Sequence, residues 1–260
     1  MKEKIAFSID SSILKKVDST VNGITIKSRS HALEILIRKA LGEDEVKHAI
    51  ILAGGEQKSD SYSTTRPMIR FEDKPILQHI IEWLKKFDIT NITISVGYMR
   101  EEIEGYFRDG KDFGVSIDYM REDEPLGTAG PLYLAKSRFR STFIAIYADV
   151  LCDFNLVDMI NDHRQSKAIA TIALKEVKNP HKYGVANLEG RRITNFVQKP
   201  VKGKALSNII NAGVYIFEPE IFDYIPKRGM LETDVFDKLS KTRTLNGYIF
   251  SGRWIEVSDS

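Results

Sequence analysis

From His48 onward, short apolar runs alternate with stretches whose apolar positions repeat at helical spacing. Ala49-Ile50-Ile51-Leu52-Ala53 is a continuous apolar run that ends in Gly54-Gly55. It predicts a buried parallel strand running into a loop whose backbone can be approached closely. Ile76, Leu77, Ile80, Ile81 and Leu84 then mark one face of a helix. Ile92 to Val96 predicts a second strand, Val115 to Tyr119 a third, and Phe143 to Val150 a fourth that closes on an acid, Asp149. Arg100 to Phe107 between them reads as a polar helix. The alternation predicts an α/β domain, a Rossmann-like mixed, mainly parallel sheet with helices on both faces.

The first 43 residues follow another pattern. Lys4 to Ile9 alternates, with Ile5, Phe7 and Ile9 on one face, and predicts a short half-buried strand. Asp10 or Ser11 caps a helix carrying Ile13, Leu14, Val17 and Val21, and Asn22-Gly23 ends it. Ser28-Arg29-Ser30 opens a second helix with Leu33, Ile35, Leu36 and Leu41, closed by Gly42. One strand and two helices of this size bury too little apolar surface to stand alone. A lone strand also needs a partner. A homodimer meets both needs, with two strands forming a ribbon over four helices. The expected division is a domain at 1–43, a charged linker at 44–47, and a second domain at 48–260.

Composition narrows the class. Of 260 residues, 42% are hydrophobic and 28% charged, with net charge +2, the profile of an ordinary globular chain without a global nucleic-acid signature. A single cysteine, Cys152, excludes an internal disulfide and fits a reducing compartment. The five histidines show no metal-ligand spacing. No apolar run reaches the ~18 residues of a membrane span. The expected location is the cytoplasm, with no membrane partner.

Candidate chemistry gathers at the strand ends. A strand, a Gly-rich loop and a helix form the usual mouth of a nucleotide site. Asp149 stands at the carboxyl edge of the predicted sheet, where a carboxylate beside phosphates suits Mg²⁺.

Residues 48 to 257 resemble the sugar-phosphate nucleotidyltransferases, which join a sugar 1-phosphate to a nucleoside triphosphate. The resemblance rests on Leu52-Ala53-Gly54-Gly55, Lys74-Pro75-Ile76-Leu77, Glu122 to Leu132, Tyr183-Gly184-Val185, Phe196 to Pro200, Asn211 to Phe217, Glu232 to Phe236 and Trp254 to Val257. It implies the nucleotide-diphospho-sugar transferase-like fold. It implies nucleotide binding by Leu52, Ala53, Gly54, Gly55, Leu126, Gly127 and Thr128, and sugar binding by Gly184, Lys199 and Asn211. Asp149 and Glu256 would hold the metal. Three departures stand out. The glycine loop is shortened to Glu56-Gln57-Lys58-Ser59-Asp60, and Arg66 occupies the place of a reactive lysine. Gln198 also replaces an acid. If the site is active, Arg66 and Lys199 are the catalytic candidates.

Residues 2 to 42 resemble the ribbon-helix-helix DNA-binding family, on the alternating strand, the Gly23 turn and the Ser28-Arg29-Ser30 helix start. That resemblance implies base contacts from Lys2, Lys4, Ala6 and Ser8 and phosphate contacts from Ser28, Arg29 and Ser30 on double-stranded DNA. The two resemblances imply a DNA-binding transcription regulator whose effector is a nucleotide sugar or sugar phosphate. Its altered loop weighs against turnover. The alternative is an active sugar-1-phosphate nucleotidyltransferase with a DNA-binding or dimerising N-terminal module.

Overall fold

The computed structural model describes residues 6–21, 28–40, 46–54 and 64–257. Lys2, Lys4, Gly55, Gly23 and Lys58 lie outside the described residues, as do positions 44 and 45 of the expected linker. Contacts divide the chain into two compact units, Met1–Glu45 and Val46–Ser260.

In the first unit, helices α1 (Ser11–Ser19) and α2 (Arg29–Ala40) form where the pattern predicts them. The Asp10 carboxylate caps α1 by accepting from the Ser12 N–H at 2.7 Å. Ser28 Oγ accepts from the His31 N–H at 3.2 Å at the start of α2. Arg29 Nε and Nη2 donate to the two oxygens of Asp18, both at 2.7 Å, which ties the helices together. Arg29, expected on a DNA phosphate, therefore already has a carboxylate. Residues 6–10 form no strand. A strand is defined by its ladder, and the described residues of this unit offer no second edge. Ala6, Ser8 and Ser30 are exposed. Val17 and Ala32 are buried between the helices, whereas Phe7, Ile13, Leu36 and Ile37 remain 56, 51, 41 and 44% exposed.

The second unit opens with β1 (His48–Ala53), the short pair β2 (Arg70–Phe71) and β3 (Lys74–Pro75), and α3 (Ile76–Lys85). Then come β4 (Asn91–Val96), α4 (Arg100–Phe107), β5 (Ser116–Arg121), α5 (Gly130–Ala135), β6 (Phe143–Tyr147) and β7 (Val150–Asp153). The chain continues through α6 (Leu156–Ser166), β8 (Ala170–Glu176), β9 (Gly184–Glu189), β10 (Arg192–Gln198) and β11 (Ile209–Phe217). It ends with α7 (Asp237–Lys241), β12 (Leu245–Ile249) and β13 (Arg253–Glu256). The main sheet has the order β5-β4-β1-β6-β11-β8-β12-β10-β9.

The sheet is parallel from β5 to β6. Beyond β6 it is antiparallel except where β12 meets β8. The expectation of a mainly parallel sheet therefore holds for one half only. Strands β9 and β10 pair antiparallel through a tight turn instead of a helical crossover. The fourth predicted strand also divides. Ala148 and Asp149 turn the chain between β6 and β7, and β7 pairs with β13 in a separate ribbon.

Along β1, Ile50 faces one apolar core, with Phe143, Tyr215, Phe217 and Phe236. Ala49 and Ile51 face the other, with Leu77, Ile81 and Phe107. This is the alternation of a strand buried on both faces. No helix among the described residues is long and apolar enough to cross a membrane.

Candidate active site

Strand β1 lies between β4 and β6, so the chain leaves its carboxyl end at the point where strand order reverses. Ligands in open α/β sheets bind in the crevice at such a point. A cleft of about 370 Å³ opens there. Leu52 and Ala53 line it from β1, Gly54 from just past the end of that strand, and Arg66 from the short helix that precedes β2. Gly127 and Thr128 line it from the loop before α5, and Asp149 from the turn after β6. Gly184, Asn211 and Glu256 come from β9, β11 and β13, and Lys199 from just past the end of β10. Of the expected site residues in the second unit, Leu126 is the one described residue that does not line the cleft. Its side chain packs on Gly130 instead.

The glycines are required by their neighbours. A Cβ on Gly54 would sit 1.8 Å from Glu122 Oε1. Glu122 is buried and accepts from Ser95 Oγ at 2.6 Å; burial raises its pKa. Gly127 has φ +75°, and a Cβ there would meet the Gly229 carbonyl oxygen at 2.2 Å. The two loops are joined by Ala129 N–H to Gly229 O and Gly229 N–H to Leu126 O, each 3.0 Å.

A buried polar network lies under the cleft. Asn211 Nδ2 donates to Tyr215 Oη at 2.7 Å, and the Tyr215 hydroxyl meets that of Tyr147. Tyr147 donates to Glu232 Oε1, and Thr128 Oγ1 donates to Glu232 Oε2 at 2.9 Å while accepting from the Leu231 N–H at 2.8 Å. Burial drives the pKa of both tyrosines up, so they stay neutral donors. The Thr128 hydroxyl, expected to face a base, is thus committed to the loop. Glu232 and Tyr147 are cleft residues the site reading missed. Glu232 stood out in the sequence only as a helix start. It lies in a π-helical turn, Leu231–Phe236.

Asp149 and Glu256 are brought together by the β7–β13 ribbon, whose register sets Glu256 opposite Val150. Val257 N–H also donates to Asp149 O at 2.9 Å. Burial, and then the charge of Glu256, push the Asp149 carboxyl up to about 6; Arg66 opposes the shift with Nη1 3.7 Å from Asp149 Oδ2. Two crowded carboxylates are a donor set for a hard divalent cation. No group of three or more acidic, histidine or cysteine ligands occurs among the described residues. A pair is what Mg²⁺ takes when phosphates and water complete its shell. Cys152 is half-buried, and burial raises its thiol to about 12, so it is no nucleophile.

A family model described as nucleotidyl transferase matches residues 48–257. Mannose-1-phosphate guanyltransferase beta-B of Xenopus laevis is 35% identical over 219 residues, covering 80% of this chain and 60% of that protein. Mannose-1-phosphate guanyltransferase of Schizosaccharomyces pombe is 34% identical over 221 residues, with the same two shares. The chain thus spans about 60% of the length of the curated relatives it matches. Among solved structures, HddC from Yersinia pseudotuberculosis superposes with a TM-score of 0.71 at 26% identity, covering 82% of this chain and 94% of that one. The same protein complexed with GMP-PN gives 0.69 at 26% identity over 81% and 93%. The two guanyltransferases are enzymes by name, which overturns the reading as a DNA-binding regulator and favours the alternative, the sugar-1-phosphate nucleotidyltransferase class that the enzyme expectation also allowed. The comparisons give no support to the ribbon-helix-helix resemblance of residues 2 to 42.

Proposed function

The chain belongs to the nucleotidyl transferase family, and on that premise we propose that it is a sugar-1-phosphate nucleotidyltransferase, with a guanylyl donor the first to test. The carrying observation is that one cleft gathers Gly54, Arg66, Asp149, Lys199, Asn211 and Glu256 from separate parts of the chain. In this reading an oxygen of the sugar 1-phosphate attacks the α-phosphorus of the nucleoside triphosphate. A new P–O bond forms, the bond from the α-phosphorus to the bridging oxygen breaks, and pyrophosphate leaves with that electron pair. The attacking phosphate is already ionised, so no general base is needed. The protein's work is to position two polyanions and offset their charge.

Arg66 faces the α-phosphate, and Lys199 with Asn211 holds the sugar phosphate and ring. Gly54 and Gly127 leave the backbone open to the nucleotide. Asp149 and Glu256 would hold Mg²⁺, which when bound supplies charge neutralisation at the phosphates. The N-terminal unit pairs with a second copy. Four large apolar side chains exposed on a unit of some forty residues favour that role.

The test is pyrophosphate release by the full chain with Mg²⁺, GTP, and a panel of sugar 1-phosphates that includes mannose 1-phosphate. Release above the no-sugar blank is expected with at least one pair. No release with any nucleoside triphosphate would overturn the reading.

A further inference from the structure

In the cleft, the carboxylates are already engaged and two of the cations are not. Glu232 accepts from two hydroxyls, Glu256 from Tyr183, and Asp149 faces Arg66. Lys182 and Lys199 line the same cleft, and neither ammonium has a partner among the described residues. The two are held close by the chain. Lys182 immediately precedes Tyr183, whose carbonyl accepts from the Lys199 N–H at 2.9 Å. Lys182 closes the short helical turn just before β9, and Lys199 follows the last residue of β10, at the far end of the sheet order from β1.

Gln198, the residue before Lys199, also lines the cleft. It pairs in register with Gly184, and its Oε1 is buried and accepts no hydrogen bond. A Cβ on Gly184 would come within 2.7 Å of that oxygen. A buried acceptor without a donor is costly unless a ligand supplies one. The amide nitrogen next to it is a donor and, unlike a carboxylate, repels no anion. The wall therefore asks for two anions and a hydroxyl. One anion is the 1-phosphate, beside Lys199.

We propose that the sugar pocket prefers a sugar 1-phosphate whose ring carries a second anion, a carboxylate next to a hydroxyl, and that Gln198 and Lys182 set this preference. A hexuronic acid 1-phosphate has that pattern. The proposal rests on the nucleotidyl transfer reading above.

The test compares kcat/KM for a hexose 1-phosphate and for the uronic acid 1-phosphate of the same configuration, with one nucleoside triphosphate and Mg²⁺. The full-length wild type is expected to favour the uronate at least tenfold. Gln198→Glu, which puts a like charge against the carboxylate, should swing the ratio at least tenfold toward the neutral sugar, whatever the absolute rates. Lys182→Met, an exposed change that spares the fold, should swing it the same way through KM. A wild type that favours the neutral hexose, or variants that leave the ratio within threefold, would overturn the proposal while leaving the transfer reading intact. If no pair turns over, the transfer reading falls. Thermal protection by the two nucleotide sugars then decides, and equal protection overturns this preference as well.

Discussion

In the transfer reading Arg66 supplies a planar guanidinium at the phosphates, and it stands 3.7 Å from the Asp149 carboxylate. It offsets the crowding of Asp149 and Glu256 and lies at the mouth of the β1 loop. Arg66→Ala should lower kcat by roughly 10²–10³-fold, the usual loss when one charge-stabilising donor is removed. Arg66→Lys should recover part of that, since an ammonium keeps the charge but not the fork. An unchanged kcat in Arg66→Ala would remove it from the mechanism. Gly127 is a different kind of residue, required by conformation and space. At φ +75°, with the Gly229 oxygen 2.2 Å from any Cβ, Gly127→Ala should cost about 1–3 kcal/mol. Thermal melts should show that loss, and KM for the triphosphate should rise with it. That this glycine matters was legible in its motif. Why it matters was not, because Gly229 lies a hundred residues away and belongs to no recognisable pattern. The same distance hid Glu232, whose partners Thr128 and Tyr147 come from other parts of the chain.

Elements were easier to read where a single period dominates. The β1 run and the apolar face of α3 needed only spacing, and both are found as expected. The break between β6 and β7 was not visible, because Val150 and Leu151 resume the apolar run straight after Asp149 and the turn is fixed by the β13 ladder. Antiparallel pairing in the far half of the sheet was equally hidden, since buried strands of either sense carry similar residues. Helix α6 shows what binds element to element. His163 Nε2 donates to Glu218 Oε1 at 3.0 Å from the helix to the end of β11, and Thr142 Oγ1 donates to the same carboxylate at 3.0 Å. Burial by itself raises the Glu218 pKa, but these hydrogen bonds and the charge of His163 outweigh it, and the net shift is downward. A carboxyl lowered in the folded state adds stability above its unfolded pKa of about 4.3 and loses it as pH falls through the folded value. Glu218→Gln should therefore be less stable than wild type near pH 7, by on the order of 1 kcal/mol. The gap between their urea midpoints should shrink steadily below pH 4. A gap that stays constant down to pH 3 would show that the carboxylate charge is not what binds α6 to the sheet.

At the scale of the whole molecule, the question is how a unit that buries Val17 and Ala32 but leaves Phe7, Ile13, Leu36 and Ile37 in water stays folded. Each large apolar side chain taken out of water is worth about 1.5–3 kcal/mol, so four of them are a strong drive to associate. The exposed set lies on both helices and on the segment before α1, so a single short peptide would cover it poorly. A second copy presents the same set and can cover all of it at once, because a two-fold interface is self-complementary. Light scattering of the full chain should then give twice the 29.6 kDa of one chain. The exposed positions carry little of the packing within the unit, so Ile13→Glu with Leu36→Glu should return the mass to one chain without changing the melting of residues 46–260. Pyrophosphate release per chain should survive that double change, because every residue placed in the cleft belongs to the second unit. A wild type that weighs as one chain would leave the apolar face without its proposed partner. A double variant that loses mass and turnover together would mean that pairing supports the cleft as well as the N-terminal helices.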